Sequence, residues 1–397
     1  MRLADRVLNI SPSPTLAIDA EAKTMTASGL KVISFGAGEP DFDTPNHIKE
    51  AAIAAIKAGK TKYTPVTGIC YLKEAICEKF KKDQGLEYKK EQIVVSAGAK
   101  HSLYNTMQVL VQAGDEVILP APYWVSYMEQ IKLTGASARV VETSEQNGFK
   151  LTPAQLEAAI NPRSRLLILN SPCNPTGAVY TRAELKALGE VILKHDIIVV
   201  SDEIYEKLIY DGLEHVSIGS ISPELKERTI IINGVSKAYS MTGWRIGYTA
   251  APLPVAKAMA DLQSHSTSNP TSISQEASVA ALNGDQGPTR LMVAEFTRRR
   301  DYMLNQLLAI PGISCSRPGG AFYLYPNVKS YFEKSYKDKI IKSATDLASV
   351  LLDEAQVAVV PGVAFGSDNF IRFSYACSME NIKEGLKRFA GLLDKIR

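Results

Sequence analysis

Short runs of β-branched and aliphatic residues recur through the middle of the chain and constrain its fold more than any other feature. They are Ile93-Val94-Val95, Glu116-Val117-Ile118-Leu119, Leu166-Leu167-Ile168-Leu169, Ile197-Ile198-Val199-Val200 and Thr229-Ile230-Ile231-Ile232. An unbroken apolar run of this length fits a strand covered on both faces; a strand with one wet face alternates instead. Helical patterns separate the runs. Residues 46–58 carry an amphipathic face, and Lys100 to Val111 reads as a helix after the turn Ser96-Ala97-Gly98. Strands alternating with helices predict an α/β architecture with a mostly parallel sheet and helices on both faces.

The pattern changes toward the C-terminus. Residues 291–310 read as a long, basic, amphipathic helix. Short strand candidates follow at Ile313-Ser314-Cys315, Gly320 to Leu324, Val357 to Val360 and Phe370 to Ser374, and a last helix opens near Met379. This is the pattern of a smaller α+β unit. The Gly/Pro-rich stretches Ser11 to Pro14 and Gly36 to Pro45 are expected to pack with it. The expected division is a large domain over 46–287 and a small domain built from 1–45 with 288–397.

With 397 residues the chain is long enough for more than one core. A net charge of +3 lacks the basic excess of a nucleic-acid binder. The five cysteines form no CxxC pair, and with five histidines no metal-binding spacing emerges, so no metal is expected. Unpaired cysteines, a charged N-terminus without an apolar core, and no apolar run of membrane-spanning length lead us to expect a cytoplasmic protein off the membrane.

Six short segments carry residue types suited to chemistry. Lys237, in Ser236-Lys237, lies just past the 229–232 run, and Arg245 follows in Gly243-Trp244-Arg245-Ile246-Gly247. A lysine forms a Schiff base only as a neutral amine, so it needs burial; Ser236 and Arg245 suit a phosphate. Asp202 ends the 197–200 run in Ser201-Asp202-Glu203-Ile204-Tyr205 and can pair with a protonated ring nitrogen, or else open a helix as an N-cap. Asn174 sits in the proline-bound loop Asn170-Ser171-Pro172-Cys173-Asn174-Pro175-Thr176-Gly177, which also reads as a plain turn. Gly98, Ala99 and Lys100 form a strand-to-helix turn whose amides suit an anion, though it lacks the GxxxxGK[ST] spacing. Trp124 follows the 116–119 run and can stack on a flat ring or fill a core. Arg372, between Ile371 and Phe373, needs an anion if buried and needs nothing at a wet edge.

Taken in order, these segments resemble the fold-type I, class I pyridoxal-phosphate aminotransferases, in the bacterial aspartate aminotransferase branch. The resemblance runs from Gly36-Ala37-Gly38-Glu39-Pro40-Asp41-Phe42 through Lys62-Tyr63-Thr64-Pro65 to Val360-Pro361-Gly362 and Arg372. Its most specific stretch is Ser236 to Gly247. The resemblance implies a large domain with a seven-stranded sheet and pyridoxal 5'-phosphate as cofactor. It implies Lys237 as the Schiff-base lysine, Asp202 at the pyridine nitrogen, Tyr205 and Asn174 at the phenolic oxygen, and Trp124 stacked on the ring. It further implies Gly98, Ala99, Ser236 and Arg245 at the phosphate, with Tyr63 reaching the phosphate of a neighbouring subunit in a homodimer. Gly38 and Arg372 would take the substrate's α-carboxylate and Lys100 a distal one; Trp124 and Asn174 also border the substrate. The implied reaction moves the amino group of L-aspartate to 2-oxoglutarate by a ping-pong mechanism. Ser11 stands where relatives that accept prephenate often carry a basic residue, and Cys173 departs from the usual pattern beside Asn174. Aromatic, kynurenine, broad-specificity and aspartate/prephenate transamination are the alternative activities within this fold.

Overall fold

The computed structural model describes residues 2–397. Its centre is a seven-stranded sheet. The strands are β1 (Ile93–Ser96), β2 (Glu116–Ala121), β3 (Ser137–Glu142), β4 (Ser164–Asn170), β5 (Ile198–Asp202), β6 (Thr229–Gly234) and β7 (Gly247–Ala250), in the spatial order β1-β7-β6-β5-β4-β2-β3. Only β7 runs against the others; it pairs antiparallel with both β1 and β6.

The apolar runs are continuous because both faces of the sheet are covered. Val117 and Leu119 pack with Leu103, Met107 and Ile131 of the helices Ala99–Leu110 and Val125–Thr134. Ile118, between them, points to the other face and packs with Leu156, Leu185 and Leu188 of the helices Pro153–Ala159 and Arg182–Lys194. Successive side chains of a strand alternate between faces, so every position of a central strand must be apolar. The sequence pattern missed β3 and β7 for the complementary reason. β3 is an edge strand with mostly exposed or half-buried residues, Ser137-Ala138-Arg139-Val140-Val141-Glu142. β7 reads Gly-Tyr-Thr-Ala and has no aliphatic run at all.

The C-terminal part builds a second core around Phe296, Phe322, Leu351, Phe373 and Phe389. Its long helix spans Gly287–Leu308, opening earlier than expected because Pro288 occupies the first turn, where its missing N–H costs nothing. Three short strands, β8 (Tyr323–Leu324), β9 (Val360–Pro361) and β10 (Ile371–Ser374), form a sheet in the order β9-β10-β8. The run Val357 to Val360 is split between two sheets: Val357–Ala358 pairs parallel with Ile33–Ser34, while Val360 faces Arg372 across β9 and β10. The strand expected at Ile313 to Cys315 does not form; Ser314 makes one isolated bridge to Asn327. The strand expected from Gly320 begins only at Tyr323. Gly320 lies against Pro172 and the Leu208 carbonyl, and Ala321 has φ 58°, which takes the backbone out of the extended region.

The N-terminal segments bridge the two cores, where packing on the tail alone was expected. Ile33 and Phe35 join the C-terminal core. The Ser11 N–H donates to Glu129 Oε2 at 2.9 Å on the helix Val125–Thr134, and Thr44 Oγ1 donates to the Ser240 carbonyl at 2.7 Å. Among the described residues no helix is long and apolar enough to cross a membrane.

Candidate active site

Ser96, Ala121, Asn170, Asp202 and Gly234 end strands β1, β2, β4, β5 and β6, all of which run in the same direction. Open α/β sheets bind ligands outside such carboxyl ends. A cavity of about 560 Å³ lies there, between the sheet and the C-terminal core. Lys237, Asp202, Tyr205, Asn174, Trp124, Ser236, Arg245, Ala99, Lys100, Gly38 and Arg372, drawn from seven separate stretches of sequence, all line it. Gly98 stands directly behind, next to Arg245. Tyr63 does not line this cavity; it is 92% exposed.

Lys237 is partly buried, and its Nζ donates to the Gly38 carbonyl at 2.5 Å. Burial, with help from Arg245 and Arg372 and against Glu39 and Asp202, pulls its ammonium down to about 8. A substantial neutral fraction near pH 8 is what an amine needs to serve as a nucleophile or a base.

Asp202 is buried at the end of β5. The helix that an N-cap would open is absent: residues 204–207 form a turn, and Asp202 Oδ1 accepts from the Ile204 N–H at 3.2 Å. Burial raises the acid to about 6, against the hydrogen bonds from the Tyr127 hydroxyl and the Ile204 N–H. Tyr205 shares a hydrogen bond of 2.9 Å with Tyr323, and burial holds both phenols neutral.

Arg372 lies on the central strand of its sheet and is 2% exposed, so the wet-edge alternative falls. Its Nη1 donates to Asn174 Oδ1 at 3.0 Å and its Nη2 to the Gly36 carbonyl at 2.8 Å. Neither partner is charged, and Nε has no partner. The guanidinium also lies over the Tyr323 ring, 4.4 Å from its centroid. A buried cation with only neutral partners and a free donor is suited to a carboxylate. Lys100 Nζ stands 5.0 Å over the Trp124 ring, and burial lowers its ammonium, with Arg245 adding to the effect.

The turn at Gly98 makes an anion cradle. Gly98 has φ +89° and caps the helix Ala99–Leu110, whose first amides have no intrahelical partner. A Cβ on Gly98 would fall 2.3 Å from Arg245 Nη2, so the bare backbone is what admits the guanidinium. Arg245 is held by the Thr242 carbonyl at 2.9 Å and the Ala97 carbonyl at 3.3 Å.

This donor set fits pyridoxal phosphate. It offers an amine for the aldehyde, a buried acid for the ring nitrogen, a phenol and an amide for the ring oxygen, an indole for the ring face, and a cationic helix start for the phosphate. Tyr127 and Tyr323 are among the lining residues that escaped sequence reading. Tyr127 stands three residues after Trp124, a spacing that places both on one helical face, so its signal was present.

Among the described residues one group of metal-ligand side chains assembles elsewhere: Glu203, Glu206 and His215. It is partnered internally. Glu203 accepts from Ser217 at 2.6 Å and pairs with His215 Nε2 at 2.9 Å, and Lys79 pairs with Glu206 at 2.5 Å. A lysine already neutralises the site from within.

The chain has known relatives along its whole length. The family model "Aminotransferase class I and II" matches residues 30–389. The chain is 53% identical over 388 residues to an aspartate aminotransferase of Geobacillus stearothermophilus, covering 98% of each. It is 47% identical to an aspartate/prephenate aminotransferase of Nitrosomonas europaea, over 99% of this chain and 100% of that one. It superposes on the crystal structure of an aspartate aminotransferase from Rhizobium meliloti with a TM-score of 0.97 at 46% identity, with all of both chains covered. With the family model over residues 30–389 and relatives that match it at full length, the chain belongs to the class I and II aminotransferases.

Proposed function

We propose that this chain moves the amino group of L-aspartate to 2-oxoglutarate, giving oxaloacetate and L-glutamate, in two half-reactions on one site. The observation that carries the reading is the set of cations around the cavity. Arg372 has a free Nε, Lys100 borders Trp124, and Lys237 supplies the reactive amine between a carboxylate-binding and a phosphate-binding group. A dicarboxylate substrate needs two cationic contacts besides the group that does chemistry.

Bound pyridoxal phosphate supplies the electron sink for the charge left at the substrate Cα. The chain's residues do the rest. Arg372 and the Gly38 backbone hold the α-carboxylate, and Lys100 holds the distal one. Lys237, as a neutral amine, takes the proton from Cα. Asp202 faces the ring nitrogen, Tyr205 and Asn174 hold the ring oxygen, and Trp124 covers the ring face. Ser236, Arg245 and the Gly98–Ala99 amides hold the phosphate. Tyr63, exposed and outside its own cavity, serves the phosphate of a second copy in a cytoplasmic homodimer. The chain divides into a large domain over 46–287 and a small one from 1–45 with 288–397.

The test mixes the cofactor-loaded protein with each amino acid in turn and follows the change in cofactor absorbance. Aspartate and glutamate react fastest, and Lys100→Ala slows aspartate more than alanine or phenylalanine. Equal losses for all three remove Lys100 from specificity. The relatives that carry the aspartate/prephenate name favour one second reading, in which prephenate also serves as acceptor; turnover of prephenate with aspartate decides it.

A further inference from the structure

Tyr127 has no part in the roles assigned above, yet it touches two of the residues that carry them. Its ring is 1% exposed, and its hydroxyl donates to Asp202 Oδ2 at 2.7 Å. The other carboxylate oxygen is held by the Ile204 N–H. The Tyr127 ring meets the Trp124 ring edge-on, with centroids 5.4 Å apart and planes at 86°. The Tyr127 N–H donates to the Trp124 carbonyl at 3.0 Å. One helical turn therefore carries both the indole and the phenol, and the phenol ties that turn to the end of β5.

Chemistry sets the direction of the bond. Burial, and then the charge of Asp202, push the phenol well above its ordinary range, so Tyr127 stays protonated and donates. A donor bonded to a carboxylate favours the ionised form and fixes the plane of the group. Each Asp202 oxygen keeps further acceptor capacity for a ligand in the cavity.

We propose that Tyr127 is a positioning residue that orients the Asp202 carboxylate toward the ring nitrogen of the bound cofactor and braces Trp124 against the ring. The proposal rests on the reading of this cavity as a pyridoxal-phosphate site. Without the phenol, Asp202 becomes a stronger base and keeps the shared proton for itself. The ring nitrogen is then left neutral and withdraws charge less well.

Tyr127→Phe tests this, because it keeps the ring against Trp124 and deletes only the hydroxyl. Three quantities are measured in the wild-type and Asp202→Asn backgrounds: the cofactor dissociation constant, the pH midpoint of the bound cofactor's absorbance, and kcat and KM for aspartate. In the wild-type background the dissociation constant rises about ten- to hundredfold, the loss expected for a hydrogen bond to a charged group. The pH midpoint moves up, because a neutral ring nitrogen no longer opposes a proton nearby, and kcat falls while KM changes little. In Asp202→Asn the added substitution changes the dissociation constant by less than about threefold, because the charge it acts through is gone. Unchanged midpoint and affinity, or equal losses in both backgrounds, overturn the proposal. If the wild-type protein takes up no pyridoxal phosphate, the reading of the cavity falls and takes the proposal with it. If the wild type loads and Tyr127→Phe is silent, only the proposal falls.

Discussion

Arg372→Ala removes a guanidinium that is 2% exposed and hydrogen-bonded to Asn174 and the Gly36 carbonyl. The substrate carboxylate would then enter a buried place with no opposite charge. Truncating one partner of a buried, hydrogen-bonded charge pair costs about 2–5 kcal/mol. At about 1.4 kcal/mol per factor of ten, kcat/KM for aspartate falls roughly 30- to 5,000-fold. Arg372→Lys separates charge from shape. An ammonium is a compact point charge and does not reproduce the planar fork that spans Asn174 Oδ1 and the Gly36 carbonyl while leaving Nε free. The lysine variant therefore falls between the other two.

The assay is a single-turnover half-reaction with aspartate, read from cofactor absorbance, beside the same reaction with a primary amine that lacks an α-carboxylate. Melting curves of all three proteins check folding, because Asn174 and Gly36 also lose a partner. The amine reacts at similar rates in every variant, whereas aspartate does not. An Arg372→Ala protein that reacts with aspartate within about twofold of wild type, or that loses the amine reaction equally, refutes the carboxylate role.

Two further outcomes follow from the same geometry. Capture of pyridoxal phosphate by the cofactor-free protein speeds up as pH rises and levels off above about 8, because Lys237 must lose its proton to attack the aldehyde; a capture rate flat from about pH 6 to about pH 10 removes Lys237 from this role. Gly98→Ala drives a Cβ to within 2.3 Å of Arg245 Nη2 at a φ of +89°; it costs about 1–3 kcal/mol of stability from backbone strain and weakens cofactor affinity, and unchanged melting and affinity contradict the cradle.

Most of the sheet was legible because burial on both faces leaves an unmistakable apolar run. β1, β2, β4, β5 and β6 each carry one. β3 did not announce itself because an edge strand has polar positions, and β7 because its Gly247 is there for a close approach. A Cβ on Gly247 would lie 2.1 Å from the Ala99 amide, a contact no local pattern encodes. The cavity residues were legible as types at strand ends. Asp202 ends a strand, Lys237, Asn174 and Trp124 each follow one, and chain order alone places them at the carboxyl ends of a parallel sheet.

The amino-acid sequence by itself determined the fold class, and it singled out the strand ends and the lysine on which the proposed chemistry rests. Those depend on periodicity and short motifs, which are local. The tertiary structure alone decided the electrical state of the site. Lys237 is drawn down to about 8 because folding buries it near Arg245 and Arg372. Arg372 keeps an uncompensated charge because its neighbours across the fold, Asn174 and Gly36, are neutral, and its Nε has no partner. Asp202 meets Tyr127, 75 residues away in the chain, only once β5 and the helix Val125–Thr134 are packed together. Charge and desolvation depend on distance in space, and distance in space is what packing sets.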